Sequence, residues 1–434
     1  MGRREQRIWE GKRPESGLSR RDRQGCRYAV YIPDYLDGQE FIFDSSTAAD
    51  VSDAERATRD LDAKTSTLAN TEALARLLLR TESVASSKIE GLVVGARRLL
   101  RADAARASGE DGGDVTAAEV LGNIEAMTYA LQTVQAGSPI TVPVLLETHR
   151  RLLGGTALGD DHGGRIRDRQ NWIGGSSYNP CAAVFVPPPP DIVEDLLVDL
   201  CAFCNEDSLP PVAQAAIAHA QFENIHPFAD GNGRVGRALI HMVLRSRGLT
   251  QRVSPPVSLV LATHVQDYLA GLRGTAYDGP PGSKKAVTAI NHWLGIFAGA
   301  SARAAVDAME FEERIRAIQG EWRTRLGAVR SDAAALRLID VLPGAPVITL
   351  ASAQSMIDRS LRATIDAMKR LSYAGVVTPA HLGRQRKQIY EAREIIDVFT
   401  ALERQLASPA GDTQIEPPAR PVPARRMKFG EREI

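Results

Sequence analysis

Aromatic residues make up only 5% of this 434-residue chain, its cysteines number four, and no run of about 18 or more apolar residues occurs in it. The missing apolar run excludes a membrane-spanning helix, and a basic N-terminus without an apolar centre is not expected to act as an export signal. Cysteines at 26, 181, 201 and 204 suggest no disulfide framework, which points to a reducing cytoplasm. An excess of one charge is also lacking. Lysine plus arginine and aspartate plus glutamate stand at 53 each, so no global field selects nucleic acid or an anionic membrane as partner. What is present is 44% hydrophobic residues, enough to build cores for two or three soluble domains.

The most informative stretch is 226–237, His-Pro-Phe-Ala-Asp-Gly-Asn-Gly-Arg-Val-Gly-Arg. His226 can take a proton near neutral pH, and Asp230 is a hard ligand of the kind Mg²⁺ uses. Gly231 and Gly233 remove side chains where backbone must approach an anion. The apolar period resuming at Val235, Leu239, Ile240 and Val243 restarts a helix after them, so the cradle lies at a helix N-terminus. Arg234 and Arg237, three apart, share a face of that helix and offer planar forks to phosphate oxygens. His226 ends the preceding amphipathic helix. Asp-Gly-Asn-Gly by itself is also a common turn.

The run resembles the Fic family of protein adenylyltransferases, whose motif H-x-F-x-[DE]-G-N-G-R-x-x-R is met at His226, Phe228, Asp230, Gly231, Asn232, Gly233, Arg234 and Arg237. The resemblance implies a mainly α fold, with a Fic-type helical core interrupted by a β-hairpin flap. It implies that His226 deprotonates a hydroxyl of a target protein, on Ser, Thr or Tyr, and that this oxygen attacks the α-phosphate of ATP. Asp230 would carry Mg²⁺, while Gly231, Asn232, Gly233, Arg234, Gly236 and Arg237 would bind the nucleotide's phosphates. Phe228 would be buried packing.

Upstream, Ser86, Glu90 and Gly91 fit that family's inhibitory pattern [ST]-x-x-x-E-[GN]. The resemblance implies that Glu90 pairs with Arg237 and denies it to the γ-phosphate, so that ATP binds unproductively. Read without the family, Gly91 simply closes a helix beside a solvated Glu90. Between the two motifs, β-prone segments around a Gly/Ser/Asn-rich turn read as a hairpin, followed by four prolines at 187–190. The family uses such a flap to hold the target by strand addition, with Ile173 and Ala183, Val184, Phe185 and Val186 as its arms. An ordinary surface hairpin and a polyproline ligand are the alternatives.

Two other constellations carry less. His219, His226 and Asp230 contain no His-Glu-x-x-His pair, so His219 is read as packing. Cys201 and Cys204 have no second pair to complete a zinc site and are read as core residues.

The expected organisation is an N-terminal arm (1–45) with strand propensity at 28–32 and 41–43, and a helical region bearing the inhibitory motif (46–115). A catalytic core (116–300) follows, then a helical connector (301–330), a winged helix-turn-helix (331–404) and a disordered tail (405–434). Helices are expected from residue 54, at 116–135, 142–153, 191–205, 212–225, 234–248, 265–275 and 286–298. In the last module, helices at 333–342, 348–356 and 359–374 lead to a two-stranded wing whose basic tip, 381–387, together with Arg359, Arg362 and Lys369, suits phosphate contact. Two functions compete: an autoinhibited adenylyltransferase, and a nucleotide-sensing transcriptional regulator that binds DNA through the wing. Removal of AMP and use of another donor stay open within the first. A homodimer is expected and a membrane partner is not.

Overall fold

The computed structural model describes residues 2–11, 17–65, 71–107, 109, 113–156, 158–330, 333–382 and 387–406. At the N-terminus, β1 (Gly2–Trp9) pairs antiparallel with β2 (Cys26–Pro33), in a register running from Gly2 opposite Pro33 to Trp9 opposite Cys26. The segment 41–43, expected to be extended, is not a strand. Phe41 and Phe43 pack on the core instead, and Asn291 Nδ2 donates to Ile42 O at 2.9 Å.

Helices follow almost without interruption: α1 (Ser45–Thr65), α2 (Thr71–Ile89), α3 (Ala96–Ala107), α4 (Val115–Thr133), α5 (Val142–Leu153), the short α6 (Gly159–His162), α7 (Val193–Cys204), α8 (Pro211–Ile225), α9 (Asn232–Ser246), α10 (Val257–Thr263), α11 (Val265–Thr275) and α12 (Lys284–Leu326). Their starts have local causes. Asp114 caps α4 by accepting from Ala117 N at 3.1 Å, Ser283 caps α12 by accepting from Ala286 N at 3.2 Å, and Pro143 and Pro211 stand in first turns, where a missing N–H costs nothing. Asp44 accepts from Thr47 N at 2.8 Å, so α1 begins nine residues before the expected start at Ala54.

The core centres on α8, whose every residue except Pro211 and Glu223 is buried. Its alanines at 213, 215, 216, 218 and 220 let α7, α9 and α12 approach from several sides. Trp293 of α12 is fully buried and donates from Nε1 to Ala216 O at 2.8 Å. Burial of Trp293 and Phe222 contributes about 1.5–3 kcal/mol each. The separate helix at 286–298 and the connector after it are one helix of 43 residues. No proline interrupts it, and Phe297, Ala304, Ala308, Phe311, Ile315 and Trp322 keep one buried stripe, first against α1, α8, α10 and α11 and then against the C-terminal module.

That module comprises α13 (Ala334–Val341), β3 (Val347–Ile348), α14 (Leu350–Ile357), α15 (Leu361–Tyr373), β4 (Thr378–Leu382), β5 (Lys387–Glu391) and α16 (Arg393–Leu406). Its sheet has three strands in the order β3-β5-β4, one more than the expected wing, because the two-residue β3 is too short to show an alternating pattern. Residues 383–386 of the basic tip lie outside the described residues. The expected disordered tail begins inside α16, and 407–434 lie outside the described residues.

The cysteine reading is corrected. Cys26 of β2 and Cys181 form a disulfide, with Cα atoms 5.6 Å apart across 155 residues of sequence. The β1–β2 hairpin lies against the loop holding Cys181, where Asn179 Nδ2 donates to Arg21 O and Asp22 O, both at 3.0 Å. A pairing so distant in sequence leaves no spacing signal, and the inference of a reducing compartment loses its basis. Cys201 and Cys204 are free and buried, as expected of core residues. Alkylation of the chain denatured without reductant should therefore label two cysteines, Cys201 and Cys204. Labelling of all four would contradict the pairing.

Candidate functional site

The loop between α8 and α9 is held from several directions. His226 closes α8 with φ 49° and ψ 61°, a left-handed conformation unusual for a residue with a side chain, and its N–H donates to Phe222 O at 2.9 Å. Arg167, buried, donates from Nε to His226 O at 2.8 Å and from Nη2 to Pro188 O at 2.5 Å, while its backbone N–H donates to Pro227 O at 3.0 Å. Phe228 is fixed on both backbone groups. Its N–H donates to Asn232 Oδ1 and its carbonyl accepts from Asn232 Nδ2, each at 2.8 Å, with Asn171 Nδ2 adding a second bond at 3.0 Å.

The Phe228 ring stacks on His149 with centroids 3.8 Å apart. His149 Nδ1 accepts from Gly164 N at 3.1 Å, so Nε2 carries the proton and donates to Asp230 O at 3.0 Å. Burial holds the His149 pKa down at about 4, which keeps this neutral tautomer. Gly231 has φ 77°, and a Cβ there would lie 2.7 Å from Leu152 Cδ2. Only glycine fits the turn.

Glu90 sits over the start of α9. A Cβ on Gly233 would fall 2.0 Å from Glu90 Oε1, so the carboxylate occupies the space above that glycine, beside first-turn N–H groups that have no intrahelical acceptor. Arg237 is 1% exposed. Its Nη2 donates to Glu90 Oε1 at 2.6 Å and to Ser86 O at 2.9 Å, its Nε to Ser86 Oγ at 2.8 Å, and its Nη1 to Tyr268 Oη at 3.2 Å. Tyr268 Oη also lies 2.9 Å from His219 Nε2. Loss of water raises the Glu90 pKa, but the charge and hydrogen bond of Arg237 outweigh it and leave the carboxyl below its ordinary value.

Helix α2, which ends one residue before Glu90, is itself anchored. Glu82 of α2 accepts from Ser258 N at 2.8 Å and from Ser258 Oγ, and lies 3.0 Å from His241 Nε2 of α9. Asn123 Nδ2 donates to Ser83 O at 2.8 Å and to Ser87 Oγ at 3.1 Å.

His226 is mostly buried, and burial, followed by the Arg167 charge, lowers its pKa to about 4. The imidazole is therefore neutral at pH 7 and able to accept a proton. Its Nδ1 lies 3.9 Å from Glu223 Oε2, and burial pushes the Glu223 carboxyl up to about 7. Asp230 is 52% exposed and 3.5 Å from Arg234 Nη2, a loose ion pair. Arg234 Nε is buried without a hydrogen-bond partner among the described residues. A cavity of about 650 Å³ opens beside these two residues, lined also by Gly154, Gly155 and Thr156, within the size range of small-ligand sites.

The structure thus brings His226, Asp230, Gly231, Gly233, Arg234 and Arg237 together with Ser86 and Glu90, while Gly91, with φ 84°, closes the turn after Glu90 and is exposed. Two expected members also serve packing. Gly236 faces α8, where a Cβ would lie 2.6 Å from Glu223 Oε1 and 3.0 Å from Phe222 Cδ1, so this glycine serves helix crossing. The side chain of Asn232 is taken up by Phe228. In the flap, Ile173 N donates to Phe185 O and Val184 N to Ile173 O, both at 2.8 Å. Ile173 and Val184 are 39% and 62% exposed. Val186 is buried and its carbonyl accepts from Tyr31 N of β2 at 2.8 Å, so it is not a free edge. Sequence reasoning missed the roles of His149, Arg167, Asn171 and Tyr268, which meet the loop only through the fold.

Residues 139–244 match the model of the Fic/DOC family, and residues 48–132 match that of the Fic/DOC family N-terminal region. These two stretches, which together make up less than half of the chain, are similar to the Fic/DOC domain and to that family's N-terminal region. Protein adenylyltransferase fic-1 of Caenorhabditis elegans is 34% identical over 132 residues, 30% of this chain and 23% of that protein. Protein adenylyltransferase Fic of Drosophila willistoni is 35% identical over 140 residues, 32% of this chain and 26% of that protein. The matched part thus spans roughly a quarter of these curated relatives' length. A Fic family protein from Desulfovibrio desulfuricans G20 superposes with a TM-score of 0.50 at 22% identity, covering 81% of this chain and 97% of that one, a likeness of fold.

The buried histidines set a pH dependence. His149 and His226 are lowered to about 4 and His219 to about 3 from 6.5, burial being the largest cause in each. Below 6.5 the unfolded chain binds protons that these three refuse in the fold, so stability falls as pH drops from 6.5 toward 4. Glu223, raised to about 7, acts in the opposite sense but is one group against three. The urea midpoint should be lower at pH 5 than at pH 7.5. Equal midpoints would contradict these burials.

Proposed function

We propose that the protein is a protein adenylyltransferase restrained by its own Glu90. The observation that carries this reading is the Glu90 carboxylate lying over Gly233 and pairing with Arg237 at 2.6 Å, inside a Fic motif whose histidine is neutral. Neutral His226 takes the proton of a target Ser, Thr or Tyr hydroxyl. The oxygen forms a bond to the α-phosphorus of ATP as the bond to the bridging oxygen of the β-phosphate breaks, and pyrophosphate leaves. The work of the site is positioning and charge stabilisation. First-turn N–H groups of α9 face the anion, and the unpartnered Nε of Arg234 supplies a donor for phosphate oxygens.

Asp230 fits a role in holding Mg²⁺, which is commonly bound by one or two carboxylates together with substrate phosphates and water. Its exposed carboxylate beside Arg234 and the cavity suits that mode, and the described residues contain no cluster of three or more His, Cys, Asp or Glu able to hold a metal by itself. Mg²⁺ would supply neutralisation of phosphate charge. Ile173 and Val184, exposed on the flap, would meet the target segment by strand addition.

We read the module after α12 as a winged helix-turn-helix, supported by the close turn from α14 to α15 and by the antiparallel pair β4–β5. On α15, Asp366 stands between the exposed Arg362 and Lys369 and divides their charge, which favours docking over DNA as the module's role.

Intact mass after incubation with ATP and Mg²⁺ tests the reading. Glu90→Gly should gain the mass of AMP, whereas wild type and Glu90→Gly/His226→Ala should not. Absence of any gain in the single variant would refute it.

A further inference from the structure

Glu90 lies in the short connection between α2 and α3, and the C-terminal module grips both helices. On α2, the turn Leu342–Gly344 packs so closely that a Cβ on Gly344 would lie 2.9 Å from Ala73 Cα, and Arg80 Nη1 donates to Gly344 O at 3.1 Å. Arg80 also pairs with Asp103, joining α2 to α3. On α3, Arg97 Nη2 donates to Glu391 Oε2 at 2.6 Å and Arg101 Nε to Glu391 Oε1 at 2.8 Å. Around this pairing, Leu100, Ala104 and Ala105 of α3 form one apolar cluster with Val347, Leu382, Ile389 and Ile396 of the module.

Glu391 is fully buried, whereas Arg97 and Arg101 are 52% and 36% exposed. A buried carboxylate requires compensating donors, and two guanidiniums on successive turns of α3 provide them. This contact therefore fixes α3 against β5. The arginines reach water and keep their hydration if the contact opens, whereas the buried Glu391 loses its compensating donors, so opening requires β5 to part from α3 around it.

We propose that Glu391, Arg97 and Arg101 form a clamp through which the C-terminal module positions Glu90 over Gly233, making all three positioning residues for the inhibition. The proposal rests on the reading of Glu90 given above. A partner that binds the module and shifts β5 would, by this route, loosen α3 and lift Glu90 from Arg237. The catalytic core would thus be reported to, and released by, an element that touches neither His226 nor the phosphate cradle.

The test uses the full chain and two readouts, hydrogen–deuterium exchange and automodification from ATP and Mg²⁺. Arg97→Ala/Arg101→Ala and Glu391→Gln should each raise exchange over residues 86–96 by at least about threefold, while α8 and α9 stay protected. Arg56→Ala on α1, which loses an exposed pair with Asp53, should leave that segment unchanged. Automodification should rise in both clamp variants and rise no further when either is combined with Glu90→Gly. Unchanged exchange over 86–96 in both variants would overturn the clamp, as would an equal rise across α8 and α9, which marks general unfolding. Increased local exchange without automodification would uphold the clamp and refute the inhibitory reading of Glu90.

Discussion

The ion pair between Glu90 and Arg237 is the constraint on which the site depends. Arg237 is buried to 1% exposure, and a guanidinium removed from water must find both an opposite charge and acceptors for its donors. Ser86 and Tyr268 supply the neutral acceptors and Glu90 the charge. If Glu90 is withdrawn, the pocket keeps a buried cation that demands an anion. On the proposed function a γ-phosphate would meet that demand, so inhibition and activation would be an exchange of one counter-anion for another at a single guanidinium. His226 stays neutral throughout, because its neutral state follows from burial and from Arg167.

The scaffold that permits this exchange is rigid. His226 is held in a left-handed conformation by Arg167 and by its bond to Phe222, and the backbone of Phe228 is fixed by Asn232 and Asn171. The unusual φ at His226 persists because these bonds over-determine it. Glu82, meeting His241 and Ser258 from α2, sets the register of α2 on the helix that carries Arg237. Glu82 and Ser86 lie one turn apart on α2, with Glu90 just beyond its end, and they meet His241 and Arg237 of α9.

Much of the site was legible in the sequence because its determinants are local. The run 226–237 contains base, glycines and arginines within a helix end and the next helix start, and Ser86 and Glu90 lie one turn apart. Helix α5 and helix α11 have the boundaries their apolar period implies. What was not legible depends on long-range placement. Arg167, His149 and Tyr268 are distant in sequence from the loop they brace, and Cys26 meets Cys181 only because the N-terminal hairpin folds onto the flap. The packing of Gly236 against α8 was not legible because a glycine beside a phosphate cradle and a glycine at a helix crossing look alike until the neighbouring helix is in place. Helix α12 was divided in two because its apolar stripe changes partners midway, from the catalytic core to the C-terminal module.

The most direct test of the central claim is calorimetric binding of ATP and of ADP, with Mg²⁺, to wild type and to Glu90→Gly. With Glu90 on Arg237 the γ-phosphate gains no charged partner, so wild type should bind the two nucleotides within about twofold of each other. Glu90→Gly should favour ATP by at least about tenfold, or roughly 1.4 kcal/mol. A wild-type protein that already prefers ATP by that factor would show that Arg237 is free to receive phosphate, and would contradict the account.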